Sequence, residues 1–507
     1  MSIILAQYTI RSKQEYIFRS NRMAEIIGAS ENISRSWDIL FDVAQSIGKK
    51  TQRINPDDVF SIENTKQFFS EGTLQMAELF CGGGNETILY DSVESFQEVN
   101  KAFSYHLLKK YPGMIPMAVC TIYTGDYQKD YSHLMEEADK EKQRMTSGQR
   151  FFILPFSMMD RNTFQPYSRV ITMDGKQSRV TEESYAKRKT GQEISKQDPK
   201  VKILDKMVTQ KGDESLLAVV HADGNNMGAK IQDMLKGTKD YDFCVNHMRQ
   251  FTTDTDNAFV TDGLQAIEIR KEELIEEKKK EGSLIKEEMF LYRRIISDGD
   301  DMTFVCNARY ALDYTKAYLQ AVQSYKERNS ALWSYSSCAG ICIFHSHYPF
   351  SMAYAMAEQA CDDSAKKKVH GNHDKIIEEG WADFHYIHQG IGGSLEHVRQ
   401  EQGTLSCQAR PWKLAGGKQN DPHDIETMLN IVTILKENHV SRSDLKTLAA
   451  DMEESISDAE TELIRIYGHH KVLQAKLESL VSEQVLLLKI LYDLTEMYDL
   501  WFSRRTF

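Results

Sequence analysis

The chain has 507 residues, 41% hydrophobic and 27% charged, with a formal net charge of −12 at pH 7. That length exceeds what one core supports, so two or three domains are expected. The acidity excludes a protein that coats nucleic acid by charge alone, while leaving room for a local basic groove. Eight cysteines without a C-x-x-C pair indicate neither a zinc ribbon nor a disulfide framework. No basic leader precedes a long apolar stretch and no run reaches transmembrane length, so a cytoplasmic protein without a membrane partner is expected.

Ile3 to Ile10 reads as a strand. A segment with aromatic and basic residues (Tyr16, Phe18, Arg19, Arg22) and a helix from about Ser34 to Ile47 follow. Leu79-Phe80-Cys81, a Gly82-Gly83-Gly84-Asn85 turn and Thr87 to Tyr90 form a strand, turn and strand. A helix (Ser95 to Lys110), a strand (Met117 to Tyr123) and a helix (Ser132 to Met145) come next. Residues 146–212 are polar and turn-rich, and the cluster Lys187-Arg188-Lys189 within them reads as solvated surface.

The same order then returns. Leu216 to His221 is a strand, and Asp223-Gly224-Asn225-Asn226-Met227-Gly228 is the turn after it. Glu268 to Glu288 mixes acids and lysines as a solvent-facing helix does. Ile295 to Val305 is an apolar run, an acidic turn and an apolar run, a β-hairpin with Gly299 in the turn. A helix (Tyr310 to Lys326), a strand (Ser337 to Phe344) and a helix (Phe350 to Lys368) complete the unit. Cys338 and Cys342 share one face of that strand and read as core. Setting Thr303 beside Thr87 places Gly84 and Asn85 opposite Asp300 and Asp301, which indicates internal duplication with one copy stripped of its acids. Each half has the order of a ferredoxin-like unit. From about Gly403 the chain reads as a helical bundle: Met428 to Leu435, Leu445 to Ile456, Leu463 to Leu477 and Val481 to Trp501 carry apolar residues at three- and four-residue spacing.

The fold class expected is therefore α+β: a degenerate palm (1–145), a small middle domain (146–212), a catalytic palm (213–400) and a C-terminal helical domain (401–507). Adjacent aspartates repel, so Asp300 and Asp301 at a hairpin tip point to a divalent cation. Asp223 ends a strand that neighbours the hairpin in such a sheet, and three carboxylates suit a two-metal site. The backbone N–H groups of Gly224, Asn225 and Asn226 would hold triphosphate oxygens. Ser297 and Gly299 in the hairpin, and His345 at the end of its strand, are further nucleotide-site candidates. Lys366 and Lys367 would meet the β- and γ-phosphates. Singly, each of these is more often a surface turn or a helix C-terminus stabilised by its dipole; jointly, in this order, they favour chemistry.

The motifs His221-Ala222-Asp223-Gly224-Asn225-Asn226-Met227-Gly228, Asp298-Gly299-Asp300-Asp301 and Cys338 to His345 resemble those of the large polymerase/cyclase subunit of type III CRISPR effector complexes. The palm domains of that family are related to GGDEF nucleotide cyclases. Ala353 through Lys366, Ser441-Arg442-Ser443 and Gln14 to Phe18 fit the same family. The resemblance implies a second palm that joins ATP into cyclic oligoadenylate second messengers with Mg²⁺ or Mn²⁺. By position it makes Asp223, Asp300 and Asp301 the metal ligands and Lys366 with its neighbours the phosphate contacts. It further implies effector-complex partners and guide and target RNA. Three departures stand out. An HD nuclease domain is not expected ahead of a strand that starts near Ile3, and the dipeptides His373-Asp374 and His423-Asp424 are wrongly placed to supply one. The middle segment lacks the zinc-binding cysteines. Asp298 occupies a place where the family commonly has glycine, and a positive φ there would tax an aspartate. The competing readings are a scaffold subunit that makes no product and a diguanylate cyclase, the latter fitting the surrounding segments less well.

Overall fold

The structure, a computed structural model, describes residues 2–55, 58–144, 157–161, 163–173, 176–197, 207, 215–282, 286–370, 377–387, 393–416 and 421–502. The chain divides into two compact units, Met1–Lys202 with Asn226–Asn257, and Ile203–Asn225 with Ala258–Phe507.

The first unit holds β1 (Ile4–Arg11), β2 (Thr51–Gln52), β3 (Met76–Gly82), β4 (Asn85–Tyr90) and β5 (Ile115–Ile122) in a sheet of order β2-β3-β4-β1-β5. β1 is antiparallel to both β4 and β5. The four strands β3-β4-β1-β5 have the ferredoxin-like order. Their apolar face packs with Leu134 and Ala138 of the helix Tyr127–Arg144. Leu235, Tyr241, Cys244, Val245 and Met248 join the same core, so residues 226–257, expected within the second palm, pack in the first unit.

The middle segment contributes a hairpin of β6 (Arg169–Met173) and β7 (Lys176–Val180) and the helix Glu182–Gln197. The expected solvated cluster is corrected here. Lys187 is buried and donates to Glu183 (2.6 Å) and to the Tyr16 carbonyl (2.5 Å), and Arg188 is buried against Glu25 (2.5 Å). The cause is close helix packing. A Cβ on Gly28 would lie 1.8 Å from the Lys187 carbonyl oxygen, and one on Gly191 would lie 2.0 Å from that of Ala24. Such an approach takes the basic side chains out of water, and each then needs a carboxylate.

The second unit holds β8 (Leu216–Gly224), β9 (Tyr292–Asp298), β10 (Asp301–Asn307), β11 (Ser337–His345), β12 (Gly380–Tyr386) and β13 (Trp412–Ala415), in the order β13-β12-β11-β8-β10-β9. Its inner strands β9-β10-β8-β11 repeat the first unit's β3-β4-β1-β5. β12 and β13, which the sequence pattern does not predict, extend this sheet. Trp412 of β13 is buried, and its Nε1 donates to Asp493 of the helix Gln484–Met497 (3.2 Å), which fastens the helical end to the sheet.

The helical end is as expected in kind, with one correction. Leu463 to Leu477 is two helices, Ile456–His469 and Leu473–Leu480, with His470 at φ −128 and ψ 77 between them. Gly468 and two histidines at that point are weak helix formers. The predicted helix Phe350 to Lys368 is interrupted by a π-turn at Cys361–Ala365. His373 and Asp374 lie outside the described residues. Among the described residues, no helix is long and apolar enough to cross a membrane.

Candidate active site

β8 lies between β10 and β11, antiparallel to both. Thr303, His221 and Gly340 stand in one row across the three strands, and paired residues share a face. One step along, Asp223 lies opposite Cys338, and Asp301 at the start of β10 is paired with Asp298. The strand period of two therefore gives His221, Asp223, Thr303 and Asp301 the same face.

That face is covered by the helix Phe350–Ala360. A Cβ on Gly340 would lie 1.8 Å from the Ala357 carbonyl oxygen, so glycine there admits the helix. Tyr354, Glu358, Asp362 and Lys366 recur every four residues along this helix and its π-turn. The Tyr354 ring meets His221 edge-on at 5.6 Å, and its hydroxyl donates to Glu358 (3.2 Å).

The hairpin turn is Gly299-Asp300, closed by the Asp298–Asp301 pair. Gly299 has φ 62, whereas neither Asp298 nor Asp300 has a positive φ. Asp298 therefore continues the strand without strain, and the concern raised by its replacing glycine does not arise.

The electrostatics tie these groups together. Burial at the turn, the negative charge of Asp223 and that of Asp301 raise the Asp300 carboxyl to about 7, against the pull of a backbone hydrogen bond and of Lys366. Lys366 pairs with Asp223 and lies 3.5 Å from Asp362. Burial works to lower its ammonium, yet the charge of Asp223 and its neighbours holds it above the ordinary lysine value. His221 is held below the ordinary histidine value by burial, with the charges of Asp223, Glu358 and Asp362 opposing. Its Nδ1 is 3.1 Å from Thr303 Oγ1 and 3.4 Å from Asp301 Oδ1.

Asp223, Asp300 and Asp301 are hard oxygen donors whose mutual charge already raises one of them, and a divalent cation would relieve that repulsion. The donor set suits such a cation in kind, but its oxygens do not all lie within 4.8 Å of one another; among the described residues the group that does is His221, Cys361 and Asp362.

Other expected site residues fall elsewhere. The Asn225 N–H donates to the Ser336 carbonyl (2.9 Å) and its side-chain amide to Ser336 Oγ (2.9 Å) and the Glu379 carbonyl (3.0 Å), so Asn225 braces a buried turn and has no N–H left for phosphate. Gly224 ends β8 opposite Ser337, and Asn226 takes φ 57 where the helix Met227–Leu235 begins. Ser297 pairs with the buried Met302 and shares its face, away from Asp301 and His221. His345 lies opposite Leu216 at the far end of β11, about 23 Å along the strand from Cys338 at 3.3 Å per residue. Lys367 is exposed and off the Lys366 face. Lys368 lies over the Trp381 ring (5.7 Å).

The sequence reading missed His221, Tyr354, Glu358 and Asp362 as site residues. The signal was available: His221 is two residues from Asp223 on one strand, and the other three lie at four-residue steps before Lys366.

Fold and site define a pair of ferredoxin-like palms in which the second carries a carboxylate cluster with a lysine. Residues 216–376 match the family described as Cas10/Cmr2, second palm domain. That segment is similar to the second palm of Cas10/Cmr2 proteins. No curated protein matches the chain. Among solved structures, the apo Csm1-Csm4 cassette is similar in fold at 10% identity, covering 98% of this chain and 70% of that one, with a TM-score of 0.52. The Csm1-Csm4 cassette in complex with cA4 (11% identity, 98% and 70% covered, TM-score 0.48) and Csm1 of T. onnurineus (10%, 96% and 70%, 0.46) are also similar.

Proposed function

We propose that this chain is a metal-dependent nucleotidyltransferase that joins ATP into cyclic oligoadenylate second messengers in CRISPR-type antiviral defence. It would do so as a cytoplasmic subunit working with effector partners and with guide and target RNA. The reading rests on one observation, the placement of Asp223 and Asp301 on one face of neighbouring strands beside Asp300, with Lys366 paired to Asp223, within a segment that matches a Cas10/Cmr2 second palm.

In this reading Asp223, Asp300 and Asp301 would hold two Mg²⁺ or Mn²⁺ ions. Such ions, when bound, activate the attacking ribose hydroxyl and neutralise charge on the leaving pyrophosphate. Lys366 leaves Asp223 and takes the triphosphate as its counter-charge. Tyr354 and the helix that carries it pack over the face on which Asp301 lies. Gly299 lets the turn place Asp300 beside Asp223.

The test is incubation with labelled ATP and Mn²⁺, with and without target RNA and partner subunits, with GTP in parallel. Oligoadenylate from the wild type and none from an Asp300→Asn, Asp301→Asn double variant is expected. Equal product from the double variant would sink the assignment, and a product from GTP alone would favour a diguanylate cyclase.

A further inference from the structure

We infer that His221 is a positioning residue, holding Asp301 in the orientation that binds the cation; this rests on the metal-dependent reading above. His221 is buried on β8, and its Nδ1 reaches both Thr303 Oγ1 (3.1 Å) and Asp301 Oδ1 (3.4 Å). Neither end of that contact is left to chance. The register sets His221 directly across from Thr303 on one side and from Gly340 on the other. Gly340 admits the covering helix, and Tyr354 of that helix meets the imidazole edge-on at 5.6 Å, which fixes the rotation of the ring. An oriented imidazole 3.4 Å from Asp301 Oδ1 limits how far that carboxylate can turn, which keeps its oxygens aimed at a bound metal.

The first palm supplies an internal comparison. There the row that corresponds to Thr303, His221 and Gly340 is Thr87, Gln7 and Val119. Thr87 Oγ1 is buried with no hydrogen-bond partner. The copy without aspartates at its turn thus lacks the imidazole, the small residue that admits the helix, and the hydrogen bond to the threonine. The three features go together with the carboxylates, as expected if they serve them rather than the fold.

The experiment measures Mn²⁺ binding to the full chain from the EPR signal of free Mn²⁺, so that catalysis is not the readout. Asparagine places its amide N–H near the position of Nδ1, glutamine near that of Nε2, and phenylalanine fills the space without a donor. His221→Phe is expected to weaken Mn²⁺ binding by about 10- to 100-fold, and His221→Asn to recover most of it. His221→Gln should bind as weakly as the phenylalanine variant and serves in its place if His221→Phe does not fold. Wild-type affinity in His221→Phe, or equal affinities in the asparagine and glutamine variants, would overturn the inference. Should the wild type bind no more Mn²⁺ than the Asp300→Asn, Asp301→Asn variant, the metal-dependent reading falls as well. That outcome is read in the wild type and is therefore distinct from failure of the positioning role alone.

Discussion

The two hairpins of this chain have the same frame and opposite chemistry. In the first palm Gly82 pairs with Asn85 around Gly83 and Gly84, whose φ values are 56 and 69. In the second palm Asp298 pairs with Asp301 around Gly299 and Asp300, and only Gly299 has a positive φ. Two left-handed residues make the type I′ turn that glycine favours, while one followed by a residue at negative φ allows a side chain at the second position. The neighbouring strand differs in the same sense, with Thr9 opposite Asn85 where the second palm has Asp223 beyond the Met302–Ala222 pair. A palm hairpin therefore folds without carboxylates at its turn, although Glu78 and Glu86 lie in its strands, and the charges at the turn of the second copy are not there for folding.

The largest effect expected from breaking this contrast is on product formation. Replacing Asp300 and Asp301 by asparagine should lower oligoadenylate synthesis by about 10²-fold or more, the size seen on removing one preorganised charge contact, as read from labelled ATP. Stability should move the other way. The Asp300 carboxyl titrates higher in the folded chain than in the unfolded one, so its ionisation opposes folding. The opposition is absent below the ordinary value of 3.8 and fully present above about 7. Metal-free wild type should therefore lose stability as pH rises between those limits, by no more than about 4 kcal/mol at 1.36 kcal/mol per pH unit, and Asp300→Asn should flatten the profile. Melting curves at pH 5 and pH 8 check this, and added Mg²⁺ should stabilise wild type but not the double variant. A double variant that melts clearly lower than metal-free wild type would show that the acids are structural.

The converse change is expected to be smaller. Gly84→Asp with Asn85→Asp in the first palm should destabilise by about 1 kcal/mol, because residue 84 keeps a left-handed backbone, and should create no Mn²⁺ site opposite Thr9. Urea unfolding and Mn²⁺ titration would show either failure. The smallest effect belongs to Asp298→Gly. Asp298 holds ordinary strand geometry, so the change should alter stability by less than about 1 kcal/mol and leave oligoadenylate synthesis in place.

Much of this was legible along the chain. Two strands flanking a glycine-containing turn identify each hairpin, and the spacing from Thr87 and Thr303 back to the turn exposes the duplication. The three aspartates could be named because strand order in a ferredoxin-like sheet makes neighbours of β8 and β10. His345 could not be ruled out in the same way, since a histidine at a strand end looks alike at either end until register is known. Asn225 looked like a phosphate donor because the destination of a backbone N–H depends on a residue more than a hundred positions away, Ser336. Lys187 and Arg188 looked like surface because their burial follows from Gly28 and Gly191 letting two helices meet.

The sequence by itself determined the local elements, the repeated order and the acids that separate the two copies, since periodicity and turn chemistry act over a few residues. Only the tertiary structure decided which polar groups share a face, that Lys366 closes on Asp223, and that His221 lies beneath Asp301. Those relations depend on strand register and on how closely one helix settles over Gly340, and both are set by contacts between segments far apart in the chain.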